Sequence, residues 1–400
     1  MTRMPGRAVG RGDVVRAGFM PLLDAAPLIV ASRLGFARAE GLALELIRET
    51  SWATLRDRLA VRQLDVAHML APMAVNDSLG LTPLPVGLIV PMTLGTGGNT
   101  ITVSPSLYDA TATAMSGPPM DPSATARAFA VAVAARKTRG GEPPVIAIVH
   151  AHSAHHYQLA HWLAHAGLRL GVDVSLVVVP PPLMPEALAG AQIDGFCAGE
   201  PWGSAAVAQG SGHILTTSSR IWPAGPEKVL GVRARFADED VDRLRRLLRA
   251  VMRAALWCDD PANRPELAHL LAGPEMMGVS SDVIAAGLAL PYTAAGATLG
   301  SGFLQFASDS VLRPLPEQAA LIYAQMVRWG QAVYAPASAL RAVATYRPEL
   351  FDDAAVSMPR DTSNAASASR ATGMLFEDAP FDPSRIEDYL RAIGDRSDAS

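Results

Sequence analysis

Between Val14 and Met73 the sequence alternates short apolar runs with longer amphipathic ones, and that alternation leaves few folds open. Val14–Met20 reads as a strand. Asp24 to Ala39 reads as a helix that buries Leu28, Ile29, Leu34 and Phe36, and Gly41 turns the chain. Leu42–Ile47 is a second strand, a helix begins after Ser51, and Leu64–Met69 is a third strand ending at Ala71-Pro72. A β-α-β-α-β run requires a parallel sheet covered by helices, because each crossover must return over a sheet face.

The same order recurs between residues 101 and 219. The strand ITVS is followed by a loop at Ser106–Pro122 and an alanine-rich helix at Ala124–Thr138. Strands at Val145–Val149, Val174–Val179, IDGFCAG and His213–Thr217 alternate with a histidine-rich helix, a short helix at Pro185–Ala189 and a helix opening at Gly199-Glu200-Pro201-Trp202. A chain of 400 residues has room for two such units. Helices then dominate. A strongly amphipathic one runs from the cap Asp238 to Trp257 with arginines on its solvated face, and others cover Glu266–Leu271, Ser281–Ala289 and Pro316–Tyr334. Residues 361–372 read as a linker. The last helix has Asp382 as N-cap, Pro383 at its first position and Gly394 after its last turn. Its stripe of Ile386, Tyr389, Leu390 and Ile393 must dock, either on the body of the chain or on a partner protein.

Charge and cysteines narrow the function. A net charge of -4 gives no reason to expect nucleic-acid binding. The two cysteines, Cys197 and Cys258, have no CxxC spacing and form no zinc pattern. Residues 1–12 read as a basic arm without a continuous apolar core or a cleavage site, and no window of about 18 apolar residues occurs. These features predict a cytoplasmic chain.

Ser51 before a helical pattern is an N-cap, and Trp52 sits in the first turn. Free N–H groups at a helix start favour an anion, and an indole adds a donor with no acceptor. Trp52 by itself reads as a core residue more than as a ligand contact. The run Gly95-Thr96-Gly97-Gly98-Asn99 lacks a GK[ST] and a GxGxxG, so it is not a nucleotide loop; it lets the backbone approach something or bend between domains. Six of the nine histidines lie between His150 and His165. His161 and His165 share a helix face at i,i+4, but no HExxH and no carboxylate accompanies them, so no metal and no other cofactor is expected. His155 follows Ser153 at a helix start beyond a strand, where parallel sheets place ligands. No GxSxG occurs, and Cys197 and His155 carry no local signature of a nucleophile and base, so the chain is expected not to be an enzyme.

SWATLRDRLAVRQLDVAHMLAPM, GGNTITVS, SAHHYQLAHWLAHAG, VVVPPPLM, IDGFCAGEPW and PEKVLG occur here in order. Together they resemble the nitrate- and bicarbonate-binding proteins of the ABC-transporter solute-binding class (NrtA/CmpA-like), over residues 14–270. The resemblance implies a two-lobed α/β clamp of the periplasmic-binding-protein type (type II) with the ligand in the cleft. It implies lobe I from 13–100 plus 220–345, lobe II from 101–219 and a C-terminal extension from 346. It carries ligand roles to Trp52, Asn99, His155 and Lys228, with Ser51, Ala71, Glu200 and Pro201 in support. Bicarbonate-binding members carry a carboxylate near the lysine position. Here only Glu227 is acidic in PEKVLG and Lys228 takes the ligand-facing place, so nitrate, with nitrite as its analogue, is the expected ligand.

Leaderless members resemble the cytoplasmic nitrate sensors of nitrate assimilation (NasS type). That resemblance implies a partner, an ANTAR-type RNA-binding antiterminator held without nitrate and released with it. It implies no nucleic-acid or membrane contact by this chain itself. The second reading is a solute-binding subunit of an ABC transporter for nitrate or bicarbonate. A third, a thiamine-pyrimidine synthase on the same scaffold, relies on a cysteine-rich motif, and Cys197 stands alone in GFCAGEP.

Overall fold

A computed structural model describes residues 10, 13–289, 292–294, 297–299, 303–307, 309–356 and 375–397. The expected linker at 361–372 and most of the expected basic arm lie outside the described residues.

Two five-stranded sheets organise the chain. The first takes β1 (Val14–Phe19), β2 (Ala43–Arg48), β3 (Val66–Leu70) and β4 (Leu88–Thr93) from the N-terminal part. The second takes β6 (Asn99–Val103), β7 (Val145–Ile148), β8 (Ser175–Val178), β9 (Gly195–Gly199) and β10 (His213–Thr217); between the two lies the short β5 (Thr96–Gly97). The chain then returns, and β11 (Lys228–Arg233) enters the first sheet in the order β2-β1-β3-β11-β4. β1 pairs in parallel with β2 and β3, as the β-α-β-α-β pattern demands, whereas β11 is antiparallel to β3 and β4. The second sheet has the order β10-β6-β9-β7-β8, parallel among β7, β8 and β9 and antiparallel where β6 joins.

Several helix ends differ from expectation. The first helix breaks at Gly35, whose φ of 88° ends Ala26–Arg33, and a short turn of helix restarts at Phe36. Residues expected as loop include a helix at Pro105–Thr113, capped by Ser104, and Ala71–Ser78 continues from β3 as a helix. In both, proline sits in the first turn, where its missing N–H costs nothing. The long amphipathic helix is Val241–Asp259, capped by Asp240 rather than Asp238. Its arginines are ion-paired: Arg246 meets Asp13, Arg249 and Arg253 meet Glu40, and Arg245 meets Asp353.

The chain passes between the sheets at 94–98 and again at 218–227. Gly95 has a φ of 130°, and a Cβ there would lie 2.8 Å from the Gln305 carbonyl oxygen. The glycine run thus serves close backbone approach, with β5 pairing antiparallel to Leu304–Gln305.

The terminal helix spans Ile386–Ser397 and continues through Gly394, so neither the Asp382 cap nor the Gly394 stop is realised; Asp382 instead accepts from the Ser384 backbone. The segment docks on the chain's own body. Phe376 N–H donates to the Ile221 carbonyl beside the second crossing, and its carbonyl accepts from His161 of the second unit. Asp378 pairs with Arg328 on the Pro316–Arg328 helix, which packs on Ala71–Ser78 of the first unit. Tyr389 donates to Asp378 and accepts from Gln325. Tyr389→Phe is therefore expected to cost about 1–3 kcal/mol, because a buried donor and a carboxylate each lose a partner. The midpoint of urea unfolding measures it.

Candidate functional site

Where the carboxyl ends of the two sheets meet, polar side chains from both are enclosed. Ser51 has extended backbone and its Oγ accepts from Thr54 N–H, which starts the Trp52–Ala60 helix and sets the indole inward. Trp52 is buried, yet its Nε1 has no hydrogen-bond partner. Asp24 lies just past β1, His68 is on β3, and Glu227 and Lys228 stand at the start of β11, paired beside Leu70 and Ala71. From the second unit, Ser153 caps the Ala154–His165 helix in the same way and places His155 in its first turn. Asn99 begins β6 opposite Gly199.

Lys228 is fully buried, with its Nζ 2.9 Å from Asp24 and 2.5 Å from Glu227. Burial pulls its pKa down, but the two carboxylates outweigh burial and the net direction is up. Burial likewise pushes the Asp24 carboxyl up, while Lys228 and His68 together hold it well below the usual range. His68 Nε2 sits 2.8 Å from Asp24, its ring 5.5 Å from that of Trp52, and the Lys228 ammonium 6.0 Å from the indole. A Trp52–His68–Asp24–Lys228–Glu227 chain thus lines the first wall.

His155 forms the opposite wall. Its Nε2 is 3.9 Å from Glu227, and neither ring nitrogen has a hydrogen-bond partner. Burial holds its pKa down to about 4, so it is neutral at pH 7 in this state. The Asn99 backbone N–H donates to Ser218 Oγ and its side-chain amide donates to Gln158, leaving Oδ1 unpartnered. Unpartnered buried polar atoms are uncommon and need an explanation. Here Trp52 Nε1, both His155 nitrogens, Asn99 Oδ1 and Glu227 Oε1 concentrate at one place.

The four residues expected to carry ligand roles, Trp52, Asn99, His155 and Lys228, are brought to the junction of the two sheets. Ala71 N–H donates to the Glu227 carbonyl, which fixes the β11 start against β3. Glu200 is buried with Oε2 accepting from Ser204 N–H, and Pro201 follows it through a cis peptide; both shape the end of β9. The carbonyl of Glu200 accepts from Leu23 N–H, and Trp202 donates to the Pro21 carbonyl, so this loop ties the units together. His161 and His165 are engaged elsewhere, with the Phe376 carbonyl and Ser123. Cys197 is buried, and burial with help from Glu227 pushes its thiol well up, away from a nucleophilic thiolate.

Sequence reasoning missed Asp24 and His68 and misjudged Glu227. Lys228 was expected to face inward in its place; both face inward, because Glu227 precedes the strand and escapes its alternation. The signal for the others was a polar residue inside an apolar run: His68 in the middle of β3 (VAHML) and Asp24 in PLLDAAP, a few residues past the end of β1.

Residues 12–272 match the NMT1-like family. The chain belongs to that family. Among NMT1-like relatives it is 30% identical over 400 residues to the nitrate/nitrite binding protein NrtA of Synechococcus elongatus, covering 95% of this chain and 86% of that one. It is 32% identical over 380 residues to the nitrate import ATP-binding protein NrtC of Synechocystis, covering 92% of this chain but only 53% of NrtC, so it spans about half of that relative. The crystal structure of the periplasmic nitrate-binding protein NrtA from Synechocystis PCC 6803 superimposes with a TM-score of 0.83 at 26% identity, covering 95% of this chain and 98% of that one. The fold is therefore the two-lobed α/β clamp seen in that nitrate-binding protein. No helix among the described residues is long and apolar enough to cross a membrane.

Proposed function

We propose that the chain binds nitrate, with nitrite as its close analogue, between the two lobes. The carrying observation is the enclosed set in which Lys228 supplies charge while Trp52 Nε1 and His155 stand unpartnered. Nitrate has three oxygens that only accept, and these groups donate. The relatives named for nitrate support the same choice. Asn99 contributes through its carboxamide: with both amides flipped, Gln158 donates to Asn99 Oδ1 and the Asn99 Nδ2 donor turns inward. Isothermal titration calorimetry with potassium nitrate tests this. Binding heat is expected in the folded protein, and its absence would reject the reading.

Bicarbonate is the second ligand reading, and one observation favours it. Glu227 Oε1 is a buried acceptor without a partner, and bicarbonate carries a hydroxyl to donate to it. Competition by bicarbonate against nitrate in the same calorimeter ranks the two.

We further propose that the chain is a cytoplasmic sensor. Without nitrate it holds an ANTAR-type antiterminator; nitrate closes the clamp and releases the partner, which then permits expression of nitrate-assimilation genes. The clamp has the required parts: ligand groups on both lobes, so that ligand affinity differs between open and closed forms and can shift their balance. Coupling of about 1–3 kcal/mol is typical of such switches. The resemblance to nitrate sensors supports this role. A transport subunit would bind the same ligand and present its closed form to a permease. Affinity capture with and without nitrate, read by mass spectrometry, separates the roles: elution of an antiterminator by nitrate supports the sensor, and retention of none in either condition rejects it.

A further inference from the structure

The cleft encloses more negative charge than an anion site needs. Asp24 and Glu227 are both buried carboxylates, and Lys228 is the ammonium between them. An acceptor-only monoanion placed beside them would add a further negative charge to a sealed space. It would also leave Glu227 Oε1 facing oxygens that cannot donate.

His155 is the group able to correct both faults. Around it, Glu227 stands 3.9 Å away at the start of β11, Lys228 follows on the same strand, and Asp24 acts from the loop after β1. His68 on β3 is occupied with Asp24. On its own helix, His156 and Tyr157 are turned to Gln331 and Gln158 to Asn99; Cys197 of β9 is held as a neutral thiol by burial. Neutral His155 can offer one N–H. As imidazolium it offers two, one to Glu227 and one to the ligand, and it offsets the charge that the anion adds.

We propose that an acceptor-only oxyanion enters this cleft together with one proton, held by the His155–Glu227 pair, so that ligand binding is proton-linked and Glu227 is a specificity-determining residue. The inference rests on the nitrate reading above. Burial keeps unliganded His155 neutral near pH 7, and a neighbouring anion shifts its titration upward, so the liganded form carries the extra proton. Affinity for nitrate therefore strengthens as pH falls. Glu227→Gln removes the acceptor charge and gives the ligand an amide donor, so that variant needs no proton.

The test is calorimetry of the full chain with potassium nitrate at pH 7 in bis-tris, imidazole and Tris, cationic buffers that differ in ionisation heat and do not mimic an oxyanion. The observed heat is expected to change linearly with buffer ionisation heat, with a slope near one proton taken up per nitrate. Affinity should change by up to about tenfold per pH unit where uptake is complete. Glu227→Gln is expected to bind nitrate with buffer-independent heat and little pH dependence. Nitrate binding to wild-type protein with the same heat in all three buffers would overturn this inference and leave the nitrate reading intact. Absence of binding at every pH would instead remove that reading.

Discussion

Lys228→Ala is expected to abolish nitrate binding and, at neutral pH, to lower the stability of the unliganded protein by about 3–5 kcal/mol. The reason is the setting of the ammonium rather than its charge alone. Lys228 is wholly enclosed and bonded to Asp24 and Glu227. Its removal leaves two buried carboxylates, of which Asp24 keeps the His68 ring nitrogen at 2.8 Å. An unpaired buried charge is costly, whereas the pair itself contributes little net stability.

The variant should also reverse the response to acid. In the wild-type protein, Asp24 titrates below its ordinary value. Its contribution is complete above about pH 4 and is lost only as pH falls through the depressed value. His155, held neutral by burial with a pKa of about 4, loses stability in the same direction as pH falls from about 6.5. Wild-type protein thus gains nothing from acidification. Without Lys228, burial, the largest influence on Asp24, is opposed mainly by His68, so the Asp24 carboxyl moves up and the variant weakens as pH rises through that raised value. Urea midpoints at pH 5 and pH 8 should move in opposite directions for the two proteins. Parallel movement would mean that Lys228 is not the counter-ion of this pair.

Most of the architecture could be read from alternation and turn residues, because β1–β3 and β7–β9 are local strand–helix repeats whose pairing is dictated by chirality. The insertion of β11 between β3 and β4 could not be read that way. A strand joining a sheet more than a hundred residues distant leaves no periodic mark, and the apolar run VLGV is too short to declare its partner. The same limit hid the site's acidic half. Trp52 and His155 stood out because each follows a serine cap at a helix start. Asp24, His68 and Glu227 follow no cap, and a lone polar residue in an apolar run does not name its partner; what unites them is that Asp24 and Glu227 meet one ammonium and His68 meets Asp24, a property of the folded chain.

Trp52 takes its expected ligand role from the family resemblance, and in the structure its ring is core while its buried Nε1 is left without a partner. Its ring is buried among Met20, Leu55 and other apolar residues and lies against His68, so Trp52→Ala should cost about 3–5 kcal/mol of stability as any large core truncation does. That variant would confound packing with recognition. Trp52→Phe keeps an aromatic ring against His68 and Lys228 and deletes the unpartnered indole donor, Nε1. A hydrogen bond to a charged acceptor contributes about 1.5–3 kcal/mol. Nitrate affinity in Trp52→Phe is therefore expected to fall by about 10- to 150-fold. Its unfolding midpoint should move far less than that of Trp52→Ala. Calorimetry and urea unfolding on the same samples decide the matter: wild-type affinity in Trp52→Phe would reduce the indole to a core residue and leave its buried N–H without a ligand to explain it.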